Sequence, residues 1–174
     1  MTVTAPSWRT LSPSLRALGL WVTIVQVVGY TTSLLFINHT TGMTPAGVAE
    51  QYRGGDSTAA TGAAMKFPKS YAEMLTITHT HLFGMAAIFV FSGLALALCE
   101  RPSPRWRTVL VVEPFAALLV SFSSMWLMWG VDQRFSWLLT LSSGLMALTF
   151  YAQSFWTFRE LIGLRRAGPA ESGG

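Results

Sequence analysis

The chain has 174 residues, of which 51% are apolar and only 11% are charged, and its formal net charge is +4. Soluble domains carry about 25% charged residues, so this composition excludes a disordered chain and a soluble enzyme and predicts a membrane protein. The single cysteine excludes an internal disulfide, a thiolate zinc site and an iron–sulfur cluster held by this chain alone.

The first apolar stretch, residues 17–37, follows an N-terminal segment, residues 1–16. The stretch is long enough to cross the hydrocarbon core as a helix, which needs about 20 residues. No small-residue cleavage site follows it, so we interpret it as a retained signal anchor. His39 lies just beyond its end.

A long outer loop, residues 38–73, comes next and carries three basic residues, Arg53, Lys66 and Lys69. Thr44-Pro45 predicts a short helix with threonine as its N-cap. Ser70 and Glu73 form a capping box, which predicts that the next helix begins near Ser70. Between these ends, Gly54–Ala64 is rich in Gly, Ala, Ser and Thr and is predicted to be mobile.

The second span, residues 74–99, contains His79 and His81. At about 1.5 Å per residue, the two histidines are expected roughly 7 to 10 Å below the outer surface, where ionisable groups are functional candidates. Residues two apart on a helix point about 200° away from each other, so one haem or metal ion does not easily bind both. Met85 lies one turn after His81 and offers a soft ligand on the same face.

The third span, residues 108–130, is joined by residues 131–134 to the fourth span, residues 135–158, and a tail, residues 159–174, follows. Glu113, Gln26 and Gln153 all fall in the inner half of their spans. We expect these three polar side chains to form an interhelical cluster around a protonated Glu113. A proton relay or quinone contact is the functional alternative, and a glutamate that reaches the interface beside Arg107 is the structural one.

Eight of the twelve basic residues lie on the side of the two termini, and four lie on the side of the outer loop. The positive-inside rule therefore places both termini in the cytoplasm and the loop outside. The basic residues do not form a nucleic-acid-binding patch, so no nucleic-acid partner is expected. The predicted fold is an all-α, four-helix transmembrane bundle with up-down topology.

His39, His79 and His81 are all expected at the outer end of this bundle. Two imidazoles from antiparallel helices suit a haem b, so His39 with His79 or His81 is the predicted axial pair. Arg53, Lys66 and Lys69 would then neutralise the propionates or dock an acidic periplasmic partner. The alternative is that the histidines only form hydrogen bonds between helices.

Several segments resemble a poorly characterised family of small four-span bacterial inner-membrane proteins. They are Tyr52–Gly54, Met65–Ser70, Thr78–Met85, Pro114-Phe115 and Phe135–Leu139. The resemblance covers much of residues 43–153. It implies a bacterial envelope setting near respiratory electron transfer, and it points to Arg53, Lys69, His79 and His81 without assigning their roles.

We therefore expect an accessory electron-transfer protein of the inner membrane, with a histidine-based haem b or quinone-associated site and with other membrane subunits or a periplasmic redox protein as partners. One alternative is a non-catalytic structural subunit of a larger membrane complex. Another is a metal-handling or sensing protein that uses His39, His79 and His81. No hydrolase triad, phosphate loop or metalloprotease motif is present, so independent catalysis is not expected.

Overall fold

A computed structural model describes residues 6–55 and 66–166. Within these ranges the chain forms helices only. They are α1 (Pro13–Thr41), α2 (Pro45–Arg53), α3 (Tyr71–Ala97), α4 (Pro104–Gly130) and α5 (Phe135–Arg166). Residues 56–64 of the segment Gly54–Ala64, which is predicted to be mobile, lie outside the described residues, as do residues 167–174 of the tail.

The four long helices, α1, α3, α4 and α5, are each long and apolar enough to cross a membrane. The predicted all-α transmembrane bundle is therefore confirmed. Each of these helices extends beyond its apolar stretch at one end or at both, and α5 continues through Arg166 although its apolar stretch ends at Phe158. Arginine and glutamate end an apolar stretch without breaking a helix, because both are good helix formers.

Local signals set where the helices begin. The Ser70 side chain accepts a hydrogen bond from the Glu73 backbone N–H, and the Glu73 carboxylate accepts one from the Ser70 backbone N–H. The Thr44 side chain accepts from the backbone N–H of Gly47, with Pro45 at the first helical position. The capping box and the short loop helix predicted from the sequence are both confirmed. α1 ends at Gly42, whose φ of 61° lies in the left-handed region that favours glycine.

Helix α5 packs against all three other spans, whereas α1 touches α3 only lightly. Serines allow the close approach of α4 and α5, and the hydroxyls of Ser121 and Ser142 lie 2.8 Å apart. We call the end formed by residues 38–53, 66–73 and 131–134 the loop end, and the opposite end, with residues 6–12 and 98–103, the tail end. Helix α2 lies across the loop end, where Val48 and Ala49 pack with Met74, Met125 and Met128.

A tryptophan anchors the N-terminal segment to the tail end. The Trp8 side chain is 4% exposed, and its indole N–H donates to the Ala95 carbonyl at 2.9 Å. The ring lies against Gly19, where a Cβ atom would come within 2.4 Å of it. Cys99 belongs to the same cluster and is 1% exposed. Trp8 therefore covers the only thiol of the chain.

The burial of Cys99 beneath Trp8 predicts that its thiol reacts slowly. Burial raises the pKa of its thiol to about 11, so at pH 8 only about 0.1% is the reactive thiolate. We expect a polar maleimide to label the folded protein very slowly and to label the Trp8→Ala variant at least about tenfold faster, because removal of the indole uncovers the thiol. Mass spectrometry of timed samples measures both rates, and the wild-type protein unfolded in SDS is the control. Equal rates in the two folded proteins would contradict the covering role of Trp8.

Candidate functional site

The ring of His81 is held in one orientation by its own helix. Its Nδ1 atom lies 3.0 Å from the carbonyl oxygen of Ile77, one turn earlier. A carbonyl only accepts, so this contact assigns the proton to Nδ1 and leaves Nε2 as the unprotonated nitrogen of the neutral ring. The residue is exposed on the bundle surface. Metal-bound and haem-bound histidines are oriented in the same way, by a hydrogen bond from the second ring nitrogen to a carbonyl.

His79 and His39 are exposed too, but they face other directions. The His79 ring packs edge-on against Phe83, with ring centroids 5.2 Å apart. His39 lies five residues after Leu34, which packs against the core, so at 100° per residue its side chain points about 140° away from that contact. In the described part of the chain no three His, Cys, Asp or Glu side chains come together as a metal site requires.

Met85, the alternative soft ligand, is partly buried against the core cluster that contains Tyr30, Phe89 and Phe150. Its side chain therefore has a packing role in the bundle. The binding of a haem or a metal by His39, His79, His81 or Met85 stays a prediction.

Two basic residues of the loop are bound to the ends of helices. Arg53 Nη1 donates to the carbonyls of Met128 and Trp129, at 2.6 and 3.4 Å, in the last turn of α4. Lys66 Nζ donates to the Thr40 carbonyl at 2.8 Å, in the last turn of α1. Positive charge at a helix C-terminus is favourable because the last carbonyls are unpaired and the helix dipole is negative there. These contacts fix the two ends of the outer loop to the bundle.

The Lys69 side chain does not bind the end of a helix in the same way. Its ammonium nitrogen lies 3.3 Å from the carboxylate of Glu73, in the first turn of α3. Its backbone is more firmly held. The Lys69 N–H donates to the Tyr52 carbonyl at 2.9 Å, and the indole N–H of Trp129 donates to the Lys69 carbonyl at 2.8 Å. The loop end is thus a platform held together by hydrogen bonds.

The three polar residues of the inner half occupy two separate interfaces. Gln26 donates to the Ile88 carbonyl at 3.5 Å and so joins α1 to α3. Gln153 is fully buried and donates to the Leu110 carbonyl at 2.6 Å, which joins α5 to α4. Both carboxyl oxygens of Glu113 are buried, and no hydrogen-bond partner is found for them among the described residues. The expected direct hydrogen bonds among the three side chains are therefore not observed there.

Comparison with known proteins places the chain in a family. Residues 42–168 match Aq_1264_TM, a family described as a transmembrane helical domain. The protein belongs to this family. The match covers nearly three quarters of the chain, including the outer loop from α2 onward and the helices α3, α4 and α5. Neither the curated proteins nor the solved structures provide a match. The protein is thus a multi-pass membrane protein of the Aq_1264_TM family.

Sequence reasoning missed two features of this family member. Pro114 has no N–H, so the Leu110 carbonyl one turn earlier lacks its helical partner, and the Gln153 amide supplies the missing donor. A proline inside a span frees a carbonyl that a polar residue on a neighbouring helix can satisfy, so Pro114 was the available signal. The second feature is Tyr30, which stacks on Phe150 with ring centroids 4.3 Å apart. Tyr30 lies four residues after Gln26 and therefore on the same helix face. This spacing could have indicated that Tyr30 faces the bundle interior.

Proposed function

We propose that the protein is an accessory subunit of a bacterial inner-membrane electron-transfer assembly, in which His81 supplies one axial ligand to a haem b. The observation that carries this proposal is the hydrogen bond from His81 Nδ1 to the Ile77 carbonyl at 3.0 Å. It leaves Nε2 free on an exposed ring within a membrane-spanning helix. A ligand oriented in advance loses less entropy when it binds.

The second axial ligand comes from outside this chain in the proposed site. His79 is two positions from His81 and faces away from it, as residues about 200° apart on a helix do. His39 projects away from the core contact of Leu34. A haem bound between this subunit and a second membrane protein uses the exposed surface of α3 and explains why a histidine faces outward there.

The loop end supplies charge complementarity for this site. Arg53 and Lys66 each donate to helix carbonyls, and a guanidinium has five N–H donors and an ammonium three. The remaining donors would bind haem propionates or an acidic redox partner at the outer surface. Such contacts steer association and are weakened by salt.

The test is a reduced-minus-oxidised absorption spectrum of the full-length protein, isolated from membranes together with the proteins that accompany it. We expect a Soret band and an α-band in the wild-type preparation and in His79→Ala, and their loss in His81→Ala. His79→Ala is the matched control, because it removes an exposed imidazole from the same helix. Thermal unfolding of each variant verifies that the bundle remains folded.

Three results would overturn the proposal. A haem spectrum that survives in His81→Ala removes the ligand assignment. Bound metal detected by elemental analysis, without a Soret band, favours a metal-handling or sensing protein. Co-purification with a large membrane complex that has no haem favours a structural subunit.

A further inference from the structure

A group of unpartnered acceptors lies inside the bundle, away from the histidines. Three buried oxygen atoms on two helices, Glu113 Oε1, Glu113 Oε2 and Gln153 Oε1, find no hydrogen-bond partner in the part of the chain that the structure describes. Gln153 itself is 0% exposed. Buried polar atoms are nearly always paired, because an unpaired one costs about 1–3 kcal/mol. Something other than these residues therefore satisfies the group.

The three oxygens lie at the same level of the bundle. Gln153 Nε2 is 2.6 Å from the Leu110 carbonyl oxygen, and a helix carbonyl points toward the residue four positions later. The Gln153 amide is thus beside Pro114, next to Glu113. All of the unpaired atoms are acceptors unless Glu113 carries a proton, so the missing ligand must donate hydrogen bonds.

The surroundings of Glu113 provide no neutralising charge. Tyr30 is a titratable residue of α1 near Glu113, α5 contributes the neutral Gln153, and α3 contributes Phe89 to the adjoining core cluster. Among the described residues no cation pairs with Glu113. An isolated carboxylate in the hydrocarbon region is costly, whereas a protonated acid is neutral and donates one hydrogen bond.

We propose that Glu113 is a proton-binding site, which holds its proton together with bound water and exchanges it with the aqueous phase at the tail end. On the loop side, Tyr30, Phe89 and Phe150 form an aromatic layer. On the tail side, Thr157 lies one turn after Gln153 and is 1% exposed. The Cys99 thiol lies 3.9 Å from the Thr157 hydroxyl, which extends the polar groups as far as the thiol that Trp8 covers at the tail end. When the site releases its proton, the proton passes to bound water and a carboxylate remains.

Infrared spectroscopy of the full-length protein in lipid nanodiscs tests this site and does not depend on haem binding. We expect a carbonyl stretch of a protonated carboxylic acid at neutral pH, absent in Glu113→Gln and kept in Glu100→Gln. Glu100 is a suitable control because it is an exposed carboxylate, paired with Arg9 at 2.9 Å. In heavy water the band should move to lower frequency within minutes. Thr157→Val should slow that shift about tenfold, the rate equivalent of one lost hydrogen bond.

Each other outcome counts against the proposal. The absence of an acid band at neutral pH excludes a bound proton. A band that does not move in heavy water makes Glu113 a sealed structural group. Loss of the band on addition of sodium chloride at fixed pH identifies a metal cation as the ligand, and an unchanged exchange rate in Thr157→Val excludes the tail-end route.

Discussion

Replacing Arg53 with methionine is expected to lower the free energy of unfolding by about 2 kcal/mol, the range for hydrogen bonds from a charged donor. Arg53 donates to two carbonyls in the last turn of α4, where helix carbonyls have no partner within the helix. Methionine retains the apolar stem and removes the donors and the charge. Unfolding in mixed micelles of increasing SDS content measures the difference.

The same loop offers a matched control for this prediction. Lys69→Met also removes one positive charge, but the Lys69 ammonium pairs only with the half-exposed Glu73 carboxylate. Such pairs contribute about 0.3–0.5 kcal/mol. If Arg53→Met and Lys69→Met destabilise the bundle equally, the guanidinium does not cap α4.

The second large effect is expected for the pair Pro114 and Gln153. Gln153→Leu should destabilise the bundle by about 1–2 kcal/mol, because it leaves the Leu110 carbonyl unpaired inside the membrane. In a Pro114→Ala background the same substitution should cost less than about half as much, since alanine restores the helical N–H donor. The four proteins form a double-mutant cycle, measured by the same SDS titration.

The coupling energy in this cycle is the decisive quantity. If Gln153→Leu costs less in the Pro114→Ala background, the glutamine side chain and a backbone N–H donate to the same carbonyl. Additive effects of the two substitutions would show that Gln153 stabilises the bundle in a way unrelated to the proline. Hydrogen bonds within membrane proteins average about 0.6 kcal/mol, with a maximum near 1.7, so a coupling within that range is expected.

Features that depend on neighbouring residues in the sequence were predictable. The capping box at Ser70 and Glu73, the helix start at Thr44 and Pro45, and the four spans are all local patterns. Features that depend on which helix packs against which were not. Arg53 reaches a carbonyl 75 positions away, and no sequence pattern links the two.

The candidate site shows the same division. The sequence indicated that histidines and polar residues at membrane depth matter, because such residues are costly there. It did not indicate their directions. Gln26 and Gln153 were expected together, but each satisfies a backbone carbonyl on a different helix. A span can be recognised from hydropathy alone, whereas the rotation of each helix about its axis follows from the packing of the others.

The contact between Trp8 and Ala95 joins positions 87 residues apart, and this separation has a consequence for biogenesis. Chains are synthesised at about 5–20 residues per second. Trp8 therefore emerges from the ribosome seconds before the Ala95 carbonyl to which its indole N–H will donate. Docking of the N-terminus is therefore a late step of assembly, and a nascent chain arrested before residue 95 leaves that segment accessible to protease.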